Sequence, residues 1–130
     1  MGLTTEQRTD WDEKGFFIVR GFAVQDRLDA MIDRITLLAR SEAAGDERPD
    51  LHIAKEGVLD DPATPEEGIA KIFRVMRTED VFRDFATDPR LLDLLGDLLG
   101  PDVDCFLSQF IFKHPGALGQ PWHQDDFYFR

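Results

Sequence analysis

The sequence predicts an α+β fold in which helices come first and strands gather toward the C-terminus. Apolar residues recur at helical spacing in Leu28, Met31, Ile32, Ile35, Leu38 and Ala39, and again through the leucine-rich stretch 91–99. Asp104 to Lys113 alternates instead, with Phe106, Ser108, Phe110 and Phe112 facing one way and Cys105, Leu107, Gln109, Ile111 and Lys113 the other. A second aromatic run, Trp122 to Arg130, follows a turn-rich connection. Strands that arrive this late read as the opening part of a sandwich or barrel. The last of them would present an unpaired edge, and with it a surface for self-association.

Each element has a local cause. Thr4 or Thr5 caps a short polar helix that carries Glu6 in its first turn and stops at Gly15. Phe16 to Val19 is strand-like and closes at Gly21. Asp26 opens the amphipathic helix, which Gly45 and Pro49 end. Residues 45–68 lack periodicity and read as a long surface loop, with Leu51-His52-Ile53 as a short strand candidate inside it. Ile69 to Met76 alternates as a strand, with Ile69, Lys71, Phe73 and Val75 on one side. Val81, Phe82 and Phe85 mark a short helix. Pro89 then begins a strongly buried one that ends at Gly100-Pro101. The division is therefore a helical region at 1–44, a loop at 45–68, and helices with strands at 69–130, all within one domain spanning residues 1–130.

Composition narrows the function. The chain has 130 residues, enough for one real core, and eleven Phe make that core aromatic-rich. A formal net charge of −11 argues against nucleic acid and against an anionic membrane surface as partners. No apolar stretch approaches membrane-spanning length, and Met1 to Arg8 has no signal-peptide core. Cys105 is the single cysteine, which suits a reducing compartment, and its apolar setting suggests a buried small hydrophobe. The expectation is a cytoplasmic protein.

The chemistry is concentrated in Gln120-Pro121-Trp122-His123-Gln124-Asp125. On a strand, the i, i+2 spacing of His123 and Asp125 sends both side chains to one face. An imidazole and a carboxylate aimed at one point are two members of the 2-His-1-carboxylate set that holds non-haem Fe(II). So short a motif is more often met by a strand histidine bonded to a backbone carbonyl and an aspartate in solvent. His114 and His52 read as turn and loop residues. Lys71 reads as a lysine laying its stem along a sheet, and Gln109 either as half of a cross-strand pair or as a ligand contact.

The wider pattern adds to this. Gln109 to Gly116, the short turn after it, and Gln120 to Phe129 together resemble the phytanoyl-CoA dioxygenase family. So do the N-terminal helix with Gly15 to Phe22, and Lys71 followed by Phe82 and Leu99-Gly100-Pro101. The resemblance implies a double-stranded β-helix (jelly roll), incomplete here, and a dioxygenase that uses Fe(II) and 2-oxoglutarate. It implies His123 and Asp125 as metal ligands and Lys71, Gln109 and, more weakly, Gln124 as contacts of 2-oxoglutarate. The implied reaction couples oxidative decarboxylation of 2-oxoglutarate to hydroxylation of a C–H bond, with O₂ and a small metabolite or acyl compound as partners. Related halogenases carry a small residue where Asp125 stands, so Asp125 speaks against that variant. The family's distal histidine and its carboxylate-anchoring arginine come well after the His-x-Asp pair and do not fall within residues 1–130. The expectation for these residues alone is weak metal binding, or a non-catalytic binding or dimerisation module.

Overall fold

A computed structural model describes residues 2–127. Helix α1 (Thr5–Lys14) opens on a capping box. Thr4 Oγ1 accepts from the Gln7 N–H at 3.2 Å, and Gln7 Oε1 accepts from the Thr4 N–H at 3.0 Å. Gly15, at φ 78°, closes the helix in the left-handed conformation that the absence of a Cβ permits. Nothing in α1 is buried; the preceding Leu3 N–H reaches Asp97 at 2.7 Å and ties this end of the chain to a later helix.

Helix α2 (Gln25–Ala43) supplies Ile35, Leu38 and Ala39 to the core. The C-terminal half of its apolar stripe is buried, whereas Leu28 and Ile32 remain exposed. Strands β1 (His52–Lys55), β2 (Ile69–Phe73) and β3 (Gln109–Ile111) form one antiparallel sheet in the order β1-β2-β3. Between β2 and β3 lie three helices, α3 (Val75–Thr78), α4 (Asp80–Ala86) and α5 (Pro89–Leu99). Leu51, Ile69, Ile72, Val75, Phe82 and Phe112 complete the core with the α2 residues. Burial of these side chains is the main stabilising contribution, at roughly 25 cal/mol per Å² of apolar surface removed from water.

Register explains how the sheet divides its labour. Ile72 is buried and pairs with Ile53 on one side and Phe110 on the other, both packed against the core. Its neighbours Lys71 and Phe73 therefore project from the opposite face, opposite Ile111 and Gln109 respectively. One face of the sheet builds the core and the other is open. A bulge between Ala54 and Lys55 breaks strict alternation at the start of β2, which is how Ile69 is buried as well as Ile72.

Several expectations are corrected. The Phe16–Val19 run is not a strand. Within the expected loop 45–68, the strand candidate at Leu51-His52-Ile53 is found as β1, shifted to His52–Lys55. The 104–113 strand contracts to Gln109–Ile111 because β2 offers only Lys71 to Phe73 as partners before the chain turns into α3. Cys105 is exposed, its thiol directed to the Leu107 carbonyl at 3.3 Å, because residues 104–108 run outside the ladder. Leu94 alone of the leucines in α5 is buried; Leu92 and Leu99 are exposed, since few apolar groups lie against the helix. Among the described residues the buried aromatics are Phe82 and Phe112. Residues 121–124 are in neither strand nor helix, and Asp125–Phe127 forms a 3₁₀ turn. The expected Trp122–Arg130 strand is thus not found over residues 122–127. Its last residues, 128–130, lie outside the described ones.

Candidate active-site cleft

On the open face of the sheet lies a cleft of about 570 Å³ lined by Lys71, Phe73, Phe106, Leu107, Gln109, Gln120, His123 and Asp125. Three separate stretches meet there. Strand β2 contributes Lys71 and Phe73, the stretch that runs into β3 contributes Phe106, Leu107 and Gln109, and the segment after the His114–Gly119 connection contributes Gln120, His123 and Asp125. That connection turns on Gly116, at φ 86°, with the Ala117 N–H returning to the His114 carbonyl at 3.0 Å.

His123 and Asp125 come together by a different route from the one their spacing suggests. They do not alternate along a strand. The 3₁₀ turn beginning at Asp125 folds the carboxylate back, leaving Oδ1 3.3 Å from His123 Nε2. The imidazole's other nitrogen, Nδ1, lies 2.8 Å from the Pro121 carbonyl oxygen. A carbonyl only accepts, so Nδ1 carries a proton, and in the neutral form of the ring the lone pair is on Nε2. Gln120 Nε2 lies 3.1 Å from that same Nε2, and Gln120 Oε1 accepts from the Lys71 ammonium at 3.4 Å. A lysine ammonium only donates, which fixes the amide: oxygen toward Lys71, N–H toward His123.

The donor chemistry suits a divalent metal. Two donors with bonds of about 2.1 Å at right angles sit ~3 Å apart, close to the observed His123–Asp125 separation. A neutral imidazole nitrogen and one carboxylate oxygen match two thirds of the facial set. Among the described residues no group of three His, Cys, Asp or Glu side chains converges as a complete metal-binding cluster.

Of the five residues singled out in the sequence, Lys71, Gln109, His123 and Asp125 line this cleft and Gln124 does not. Gln124 is exposed, and its carbonyl accepts from the Phe127 N–H at 3.1 Å. His114 is directed elsewhere: its Nε2 donates to the Glu66 carbonyl at 3.1 Å and its ring stacks on Phe112. His52 packs against Phe73. Sequence reasoning missed Gln120, Phe73 and Phe106. Gln120 stands at the edge of the motif, but its two partners are 49 and 3 residues away and only the fold unites them.

The fold is mixed α+β, with this cleft on the open face of its three-stranded sheet. The phytanoyl-CoA dioxygenase (PhyH) family model matches residues 11–130, so the chain belongs to that family. The family is typically one of dioxygenases that use iron and 2-oxoglutarate. Searches of curated proteins and of solved structures returned no match. No helix among the described residues is long and apolar enough to cross a membrane.

Proposed function

We propose that this chain carries the metal-binding residues of an Fe(II)- and 2-oxoglutarate-dependent dioxygenase that hydroxylates a C–H bond of a small metabolite or acyl compound. His123 and Asp125 hold the metal, and Lys71 and Gln109 hold 2-oxoglutarate. The strands belong to the first part of a jelly roll within a single domain. The observation that carries this reading is the convergence of Lys71, Gln109, His123 and Asp125 on one cleft from two strands and a later segment.

Iron bound there would supply the oxidative chemistry. The chain's own residues do the rest. The Pro121 carbonyl holds the Nδ1 proton of His123, so the ring presents its lone pair to the cleft. Asp125 adds the negative charge that makes the pair a cation site rather than a neutral contact. Lys71 offers an ammonium to an anionic co-substrate, and Gln109 offers an amide from the neighbouring strand. Phe73, Phe106 and Leu107 wall the cleft with apolar surface that limits water at the reacting centre.

The test is an anaerobic titration with Fe(II) and 2-oxoglutarate, following the visible charge-transfer absorption of the chelate. The expected band appears in the wild type and is lost in both His123→Ala and Asp125→Ala. A wild type that shows no band, or a band that persists in both variants, refutes the assignment.

A further inference from the structure

We propose that Gln120 is a placeholder: its amide caps the His123 lone pair until a metal displaces it, and that displacement releases Lys71. The inference rests on reading His123 as a metal ligand. One side chain touches both halves of the site, with Gln120 Nε2 at 3.1 Å from His123 Nε2 and Gln120 Oε1 at 3.4 Å from Lys71 Nζ. The His123 Nε2 lone pair serves one partner at a time. Nε2 has two neighbours, the Gln120 amide at 3.1 Å and Asp125 Oδ1 at 3.3 Å; in the neutral ring with its proton on Nδ1 the carboxylate has nothing to accept there, so Nε2 either accepts the Gln120 N–H or binds a metal.

Occupying Nε2 therefore breaks the Gln120–His123 bond and frees the amide that holds the Lys71 ammonium. Lys71 then turns from a neutral amide oxygen to an anion, for which its charge-assisted bonds are roughly twice as strong. The site loads in order, metal before anionic co-substrate. Gln120 is exposed, as are His123 and Asp125, so its replacement disturbs no core packing.

A supporting residue and a placeholder differ in the sign of the effect. Removing a support weakens metal binding, whereas removing a placeholder strengthens it. The experiment uses Zn(II) as a diamagnetic probe, with calorimetry for affinity and nitrogen-15 spectra of the histidine side chains for the contact. His123→Ala measures background binding at other sites. In Gln120→Ala the His123 Nε2 resonance of the metal-free protein moves, and Zn(II) binds about fivefold more tightly, the release of one hydrogen bond. Adding Zn(II) to the wild type shifts the Lys71 Nζ resonance, and 2-oxoglutarate binds more weakly before Zn(II) than after it.

Gln120→Ala that leaves the Nε2 resonance unchanged, or that weakens Zn(II) binding, overturns the placeholder. A wild type that binds no more Zn(II) than His123→Ala, while its Nε2 resonance still responds to Gln120→Ala, overturns the metal reading itself and with it the release step.

Discussion

Two carboxylates carry much of the internal electrostatics. Glu79 is 3% exposed and accepts from Arg34 and, at 2.9 Å, from Arg48, so a single acid ties α2 and the 44–51 connection to the start of α4. Glu79→Ala leaves two guanidiniums without their shared partner, and both are partly solvated. The expected loss is about 2–3 kcal/mol, below that of a wholly buried pair, read from the urea midpoint. Asp88 caps α5, accepting from the Arg90 N–H at 2.9 Å, and pairs with the Arg90 and Arg27 guanidiniums. The Arg90 hydrogen bond first, then that of Arg27, hold its carboxyl well below the usual carboxylate range. The native state thus binds this proton less readily than the unfolded chain. Its contribution is complete above the unfolded value of about 4 and is lost as pH falls through the lower, folded one. Asp88→Asn should flatten the dependence of the urea midpoint on pH over roughly pH 5 to 2. Arg74, at φ 68°, turns β2 into α3 in a conformation that a Cβ disfavours. Its N–H donates to the Ser108 carbonyl at 2.7 Å and holds it there. Arg74→Gly should raise stability by up to about 1 kcal/mol, the strain relieved less the added freedom of the unfolded chain.

At the scale of elements, a pattern in the sequence is an offer that a neighbour has to accept. The helix starts were legible because caps are local: Thr4 with Gln7, and Asp88 followed by Pro89, name their helices without help from the fold. Strand lengths were not. Residues 104–113 alternate throughout, yet only Gln109–Ile111 finds a ladder, because β2 ends where Arg74 turns the chain. Leucine-richness overstated the burial of α5 for the same reason: spacing shows which face is apolar, and packing decides how much of it is covered. Leu94→Ala should cost about 2–4 kcal/mol by chemical denaturation, and Leu99→Ala, at 66% exposure, less than about 1 kcal/mol. Among the site residues, His123 and Asp125 were legible as chemistry because they are two residues apart. Lys71 and Gln109 were legible only through family resemblance, since the register that brings them to one face lies in the fold. Gln120 stood at the edge of the motif with no role of its own there; its meaning is that of a bridge between His123, three residues on, and the distant Lys71.

Across the whole molecule, the sheet separates structure from chemistry. Ile72 and its cross-strand neighbours secure the core on one face, while Lys71, Phe73 and Gln109 look outward on the other. Substitutions at the cleft should therefore alter ligand binding with little change in stability. Lys71→Met is expected to weaken 2-oxoglutarate binding at least tenfold while leaving the urea midpoint within about 0.5 kcal/mol of wild type, as for other exposed positions. The division also shows in what holds each half of the cleft. One jaw is sheet, stapled by ladder hydrogen bonds; the other, residues 120–125, makes no ladder bond and meets the sheet through Gln120 and Lys71. A ligand that touches both jaws closes a clasp, and its binding energy is spent on holding residues 120–125 in place. Affinity and proteolytic lifetime then become two readings of one quantity: the chain should resist cleavage near Gly119 in proportion to how fully its site is occupied.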